Sequence, residues 1–408
     1  MKILLAHNAY LGQFQHFGPW LKARGHDVMV LHRNDVPKDA DLPRAQFRDA
    51  RHRAQQQERI LQEIENALCS GMGSAAGAIA LRDQGYSPDI IISHCGWGTG
   101  LFLKEVWPEA VYIAYHEWYY NLDALSPADQ IQPLTRDQIL QSGHNMARNM
   151  PIVSEFVHAD ACWSPNRFQA GQFPRHLREK IVITHDGVDT SLNKPIPNAK
   201  INFPWLDLSS SDKIVTYIGR GFEPTRGFPT FMEAVKKVQE KSADAQVVIV
   251  GSNRVAYGEA LSQGDSWLHR MLDDLDIDLS RVHITGTIEL PDLRKVLAAS
   301  SAHVYLTVPF VLSWSMMEAM AIGCPVIAND LPATSDIITN GENGFLVTTN
   351  DADALADRIL FCLDKPEMMK KIGRNGRKSI AERFEMDTVF SEREKMMEDL
   401  LRTQRNHL

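Results

Sequence analysis

The chain has 408 residues, of which 44% are hydrophobic and 23% charged, with a formal net charge of -8. A length beyond the ~250 to 300 residues at which single cores stop growing predicts two domains of about 200 residues each. The negative balance excludes general nucleic-acid binding through a basic surface, and five scattered cysteines without a C-x-x-C read as reduced cytosolic thiols.

In chain order, Met1 to Ala6 is too short an apolar run for a signal peptide, so the expected location is the cytoplasm. Lys2 to Ala6 predicts a buried first strand, followed by a loop to Gln13, a helix over about Phe14 to Arg24 and a second strand over Val28 to His32. This is a Rossmann-type opening, but its loop holds only Gly12 and lacks G-x-G-x-x-G, which disfavours a dinucleotide site. Arg44, Arg48, Arg51, His52, Arg53 and Arg59 form a basic stretch leading into a long helix that runs to about Leu68. Such a run reads as a solvated helix face, with an acidic acceptor or the anionic inner face of a membrane as the functional alternative.

Asp89 to Ser93 and Ala110 to Tyr115 predict two more buried strands, ending in His94-Cys-Gly-Trp97 and His116-Glu-Trp118. Ligands of open α/β sheets sit at the carboxyl ends of strands, so His94 and His116 are candidates for one shared crevice, His116 in a catalytic role and His94, Trp97 and Trp118 on the acceptor side. His116-Glu117 is not followed by x-x-His, which excludes a zincin site. Two helices, Asp137 to Asn149 and Val153 to Asp160, a strand at Ala161 to Ser164 and a last strand at Ile181 to Thr184 complete a first domain over residues 1–189. The proline- and serine-bearing segment 190–212 reads as a linker.

The second domain, 213–385, opens with the strand Ile214 to Ile218 and the loop Gly219-Arg220-Gly-Phe-Glu-Pro-Thr-Arg226-Gly227 before a helix to about Lys241. The loop has the chemistry of a phosphate cradle: glycines for backbone approach, a helix N-terminus for free N–H groups, and two guanidiniums. Strands at Gln246 to Val250 and Val282 to Thr285 lead to Asn253 and to Thr287 and Ile288. Asp276-Ile-Asp278 and Asp351-Ala-Asp353 spell D-x-D, yet lie at helix ends and read as caps and solvated charge. Ala302 to Asn329 reads as strand, loop, helix and strand, with Ser313 as N-cap, Gly323 at the helix C-terminus and Pro325 as the stop. Glu318 is the only charged residue between Val308 and Asn329, and a carboxylate among apolar neighbours is costly without a bound partner. Helices over about 351–364, 366–383 and 387–405 end the chain, residues 386–408 crossing back to the first domain.

Ser315 to Ala328, SMMEAMAIGCPVIA, resembles the C-terminal signature of the retaining glycosyltransferases of family 4, in which a Glu, seven residues and a second Glu precede Ala-Met-Ala-x-Gly-x-Pro-Val. The second Glu falls on Glu318 and the first on Phe310, a departure from the pattern. Gly219-Arg220 with Arg226-Gly227 resembles the family's Gly-Arg and Lys-Gly pair, Thr285-Gly286 its Thr-Gly-x-Val, and His185-Asp-Gly-Val-Asp189 the turn that ends its first domain. His94 to Tyr120 resembles the first domain of one bacterial subgroup.

The resemblance implies an α/β GT-B fold, two Rossmann-like parallel-sheet domains facing across a cleft. It implies transfer of a sugar from a nucleoside diphosphate donor, UDP favoured and GDP second, to a carbohydrate, lipid-linked or small acceptor, with retention and with neither metal nor cofactor. Arg220 and Arg226 would hold the diphosphate and Glu318 the ribose, with Gly12, Gly219, Asn253, Thr287, Ile288, Phe310, Leu312, Ser313, Trp314 and Ser315 completing the donor site. The alternatives are a glucan phosphorylase or synthase, which is usually longer, and an inactive relative that senses a nucleotide sugar, which Phe310 favours.

Overall fold

The structure, a computed structural model, describes residues 1–36, 40–50, 59–125, 133–258 and 261–406. The chain divides into two compact units, one of Met1–Gly187 with Asp387–Leu408, the other of Val188–Met386.

The first unit is built on seven strands: β1 (Lys2–His7), β2 (Asp27–His32), β3 (Arg44–Gln46), β4 (Ile90–His94), β5 (Val111–Tyr115), β6 (Ala161–Ser164) and β7 (Ile181–Ile183). They pair in the order β3-β2-β1-β4-β5-β6-β7, and the pairings are parallel. Central strands covered on both faces need continuous apolar runs, and Ile3, Leu4, Leu5, Ile90, Ile91 and Ile92 are fully buried. The order reverses direction between β1 and β4, which leaves a crevice at their carboxyl ends.

Three helices here differ from expectation. The Arg59–Asp83 helix does not stop near Leu68, because Gly71, Gly73 and Gly77 are contact points and not breakers. A Cβ on Gly73 would lie 2.0 Å from the Arg48 carbonyl oxygen, so only glycine lets that backbone approach. Arg136–His158 is one helix, continuous through Pro151, where two were expected. The first helix is confined to Phe17–Ala23, after a single 3₁₀ turn at Gly12–Phe14.

The closing helix, Met386–Arg405, belongs to this unit from Asp387 onward. Trp20 Nε1 donates to Asp387 Oδ1 (2.8 Å), and Glu394 accepts from Arg24 (2.9 Å) and His26 (2.7 Å). Arg393 is fully buried, its guanidinium donating to the Thr184 hydroxyl and carbonyl and to Asp186.

The second unit carries β8 (Asn202–Phe203) and β9 (Leu206–Asp207), then β10 (Ile214–Gly219), β11 (Gln246–Gly251), β12 (Val282–Gly286), β13 (Ala302–Tyr305), β14 (Val326–Asn329) and β15 (Phe345–Val347). The last six form a parallel sheet in the order β12-β11-β10-β13-β14-β15, reversing between β10 and β13. Its main core joins Val215, Tyr217, Phe228, Phe231, Val247, Ile249 and Val304 to the Ala352–Asp364 helix through Leu355 and Ile359. The segment 190–212, read as a linker, is part of this unit: β8 and β9 make a hairpin whose Phe203, with Ile201 and Leu208, is buried against Val248, Val250 and Val296.

The Trp314–Ile322 helix has the expected caps. Ser313 Oγ accepts from the Ser315 N–H, and Gly323 takes φ 87° at the C-terminus. Asp278 and Asp351 likewise cap helical turns, accepting from the N–H groups of Ser280 and Ala354, and Asp278 also pairs with Arg281.

Candidate functional site

In the second unit the candidate side chains gather where β10 and β13 diverge. The loop from Gly219 to Gly227 leaves β10, and the loop from Leu306 to Ser313 leaves β13. The two are tied together: the Val308 N–H donates to the Thr225 carbonyl (3.0 Å), and Arg226 Nη1 donates to the Thr307 hydroxyl (3.0 Å). Tyr305 OH accepts from the Ser313 N–H (3.0 Å), fixing the start of the Trp314–Ile322 helix and its N-terminal N–H groups.

The Arg226 guanidinium lies 4.9 Å from the centre of the Tyr257 ring, and Tyr257 meets Phe310 edge to face at 6.1 Å. Tyr257 is held from an unexpected quarter. Glu223 is fully buried, and its carboxylate accepts from three successive backbone N–H groups, those of Ala256 (3.1 Å), Tyr257 (3.1 Å) and Gly258 (2.7 Å). This is a backbone anion nest filled from within the protein.

Arg220 stands exposed on the loop. Glu318, in the second turn of its helix, is half-buried, and burial raises its pKa against the opposing pull of Arg294. Among the described residues no protein donor reaches its carboxylate, which leaves its oxygens available to a ligand. Phe310, Trp314 and Ser315 are partly buried and Leu312 is buried. Asn253 and Thr287 are exposed beyond the ends of β11 and β12, and Ile288 packs on the cluster of Val250 and Val296. The structure thus groups Arg226, Phe310 and Ser313 around one strand-end, with Arg220 on the same loop, and sets Asn253 and Thr287 further along the sheet. Two concavities of about 430 and 410 Å³ beside β15 include none of these residues.

In the first unit, β1 and β4 pair up to Ala6 and Ser93, so His7 and His94 emerge side by side, ring centres 4.8 Å apart. Gln13 Nε2 donates to Glu117 Oε1 (2.9 Å), and Glu117 Oε2 lies 3.3 Å from His94 Nε2. An amide facing a carboxylate must present its nitrogen, so the Gln13 oxygen faces His7 Nε2 (2.8 Å), which carries the proton. His7 Nδ1 then accepts from the Ala9 N–H (2.9 Å), although the Ala9 carbonyl is also near, at 3.0 Å. Burial, and then the neighbouring His94, lower the His7 pKa to about 3, which keeps the ring neutral. Gly12 has φ 48°, and a Cβ there would fall 2.2 Å from the His7 ring, so this glycine makes room for the histidine.

His116 takes a different place from the one expected of it. It is fully buried between Phe156 and Phe173, at 5.0 and 5.4 Å, neither ring nitrogen has a partner among the described residues, and burial lowers its pKa to about 3. The extended chain continues through His116, whose N–H donates to the Trp163 carbonyl, so successive side chains point to opposite sides and Glu117 is the one that reaches His94. Trp97 is 54% exposed, and Trp118 packs 5.8 Å from Phe168. His7, Gln13, Glu117 and Glu223 are the residues that sequence reasoning missed.

Arg44 and Arg48 are exposed. Arg51, His52 and Arg53 of the basic stretch, and the side chain of Arg59, lie outside the described residues. Among the described residues no helix is long and apolar enough to cross a membrane.

Two family models match the chain: "Glycosyl transferase family 4 group" over residues 24–192 and "Glycosyl transferases group 1" over residues 212–365. A phosphatidyl-myo-inositol mannosyltransferase of Mycobacterium leprae is 30% identical over 184 residues, 44% of this chain and 45% of that protein. A trehalose synthase of Pyrococcus horikoshii is 25% identical over 215 residues, 52% of this chain and 51% of that protein. The chain thus spans about half the length of the curated relatives it matches. Among solved structures, HepE of Anabaena in complex with UDP and glucose superposes with a TM-score of 0.72, at 17% identity and covering 98% of this chain and 100% of that one. Sucrose-phosphate synthase of Thermosynechococcus elongatus gives 0.70, at 17% identity, covering 99% and 100%. At such identities the likeness is one of fold.

Proposed function

The chain belongs to glycosyltransferase family 4, with its GT-B fold of two parallel-sheet α/β domains, and from that premise we propose that it moves a hexose-type sugar from a nucleoside diphosphate donor to a carbohydrate, lipid-linked or small-molecule acceptor, with retention of configuration. UDP is the favoured nucleotide and GDP the second, and synthesis of a bacterial polysaccharide or glycoconjugate is the setting. The observation that carries the reading is the strand-end shared by Arg226, the exposed Arg220 and the Ser313-capped helix. Transfer builds negative charge on the departing diphosphate, and preorganised guanidiniums and helix N–H groups stabilise that charge without a metal.

Glu318 gains its missing partners in this reading by accepting from the ribose hydroxyls. The complexes of HepE with UDP and with UDP-glucose support a nucleotide sugar as the ligand type. The departing phosphate helps to deprotonate an acceptor that attacks from the same face, and the first unit supplies the acceptor side through His94, Trp97 and Trp118. The work is done in the cytoplasm, with Arg44 to Arg59 touching the inner membrane face when the acceptor is lipid-linked.

Phe310 favours a second reading, an inactive relative that binds a nucleotide sugar as a sensor or scaffold. A melting-shift screen of UDP-, GDP- and ADP-sugars tests donor binding, since a ligand specific to the native state raises its stability by mass action. Consumption of the stabilising donor with cell extract as the source of acceptor separates enzyme from sensor. No shift with any nucleotide sugar overturns both readings.

A further inference from the structure

The polar chain at the ends of β1, β4 and β5 has one direction. His7 donates to Gln13, and Gln13 donates to Glu117 Oε1 (2.9 Å). On the other side His94 Nε2 stands 3.3 Å from Oε2, and its Nδ1 is buried without a partner among the described residues. An orphaned lone pair costs less than an orphaned N–H, so the His94 proton sits on Nε2 and is given to Glu117. Among the described residues the two side chains that reach this carboxylate, Gln13 and His94, therefore both donate to it, one to each oxygen.

Each carboxylate oxygen offers two lone-pair directions, so one remains on each. The Glu117 side chain keeps 23% of its surface open, whereas that of His94 keeps 4%. The open part of the array thus lies on Glu117 and not on His94, and its carboxylate is a pair of acceptors whose orientation is set before a ligand arrives. A ligand that fits must present two donors side by side. Hydroxyls on adjacent carbons do so, and Trp97, three residues after His94 and 54% exposed, offers an aromatic surface suited to the C–H face of a sugar.

We propose that Glu117, held between Gln13 and His94, binds a vicinal diol of a sugar or polyol. The diol belongs to the acceptor, an assignment that rests on the transferase reading. Gln13 and His7 are positioning residues, acting through the orientation of the Glu117 carboxylate, and Gly12 gives His7 its room.

Saturation-transfer NMR on the full chain tests this with methyl α-glucoside, methyl α-mannoside, methyl α-galactoside and myo-inositol as probes. At least one is expected to bind. Glu117→Gln replaces one acceptor by a donor, and should weaken that probe by about tenfold to a hundredfold, the worth of a charged hydrogen bond. A deoxy analogue lacking either hydroxyl of the recognised pair should lose as much. The Glu117 backbone is anchored separately, its carbonyl accepting from Gln169 Nε2 (2.7 Å), so the melting temperature and the UDP-induced shift should stay at wild-type values. Gln13→Leu should weaken the same probe by a smaller factor, as a positioning residue does.

Equal probe affinity in the wild type and Glu117→Gln overturns the proposal. So does failure of all four probes to bind a protein that UDP still stabilises. Probe binding lost in Glu117→Gln without any nucleotide-dependent shift leaves the diol site standing and overturns the transferase reading instead.

Discussion

Arg393 and Asp186 meet as a buried ion pair, Nη2 to Oδ1 3.1 Å, with side chains 1% and 7% exposed. Tyr115 OH donates to the same carboxylate oxygen (2.8 Å), and the rings of Phe17, Tyr115, Trp163 and Phe390 surround the guanidinium. Removing one partner strands the other charge away from water. Asp186→Ala and Arg393→Ala should each cost about 3–5 kcal/mol, read as a fall in the urea midpoint. Arg393→Met with Asp186→Leu should cost less than either single change, and an equal or larger loss would argue that packing, not the stranded charge, dominates.

Arg220→Ala and Arg226→Ala should each lower turnover by about 10²-fold to 10³-fold, the scale of one preorganised donor to a developing anion. Their stability effects should part. Arg220 is exposed, so its loss should leave melting unchanged, whereas Arg226 also binds Thr307 and lies over Tyr257 and should lower it. Near-full kcat in either variant at saturating donor would remove it from the diphosphate clamp.

Transfer should survive excess EDTA, because the two guanidiniums supply charge of the kind a divalent ion would bring. Activity lost to EDTA and restored by Mn²⁺ would contradict this.

Stability should depend on pH with two opposed signs. His116 has its pKa lowered from 6.5 to about 3, so between these values the unfolded chain binds more protons and stability falls as pH falls, by up to about 1.4 kcal/mol per unit. His116→Phe should make that limb shallower by that share, leaving the part due to His7, whose pKa is lowered alike. Glu155, fully buried, has its pKa raised from 4.5 to about 7, so its stabilising protonated form is complete below 4.5 and stability falls as pH rises through 7. Tyr112 OH donates to its Oε2 (2.7 Å), an acceptor that an amide retains, so Glu155→Gln should stabilise at pH 8 and be near neutral at pH 4. Urea midpoints of both variants against pH check the signs.

In the proposed site Phe310 and Tyr257 would give the donor-sugar side an apolar wall where the family pattern has a carboxylate. Discrimination among sugar hydroxyls should therefore be looser than discrimination among nucleotides, since a site built to bond a hydroxyl rejects its absence by ~10⁴-fold or more. Initial rates with the hexose varied at fixed nucleotide, then the nucleotide at fixed hexose, give the comparison. Strict rejection of every epimer with tolerance of any nucleotide would reverse it.

The run from Ala302 to Asn329 could be read from sequence because its elements are set locally: apolar runs make β13 and β14, Ser313 and Gly323 cap the helix between, and D-x-D spellings at Asp278 and Asp351 resolve into caps. The first-unit site could not be read so. His7 and Glu117 join only because strand order sets β4 between β1 and β5, and nothing near either residue encodes that order. His116 and Glu117 are neighbours that the extended chain turns to opposite sides, and without the strand's facing the histidine looked the better candidate. The run of the Arg59–Asp83 helix past Leu68 was not legible because the partners of its glycines, such as the Arg48 carbonyl, are remote in sequence.

Glu223 fills the nest of Ala256, Tyr257 and Gly258 with a carboxylate that never dissociates. A loop that had to wait for a ligand's own anion would lose chain entropy at each encounter, and that loss would be subtracted from affinity. Here the loss is met during folding, and Tyr257 already lies against Arg226 and Phe310 before the proposed donor would arrive. Replacing Glu223 would thus make binding slower and weaker without removing any atom that touches the ligand, a change in readiness and not in recognition.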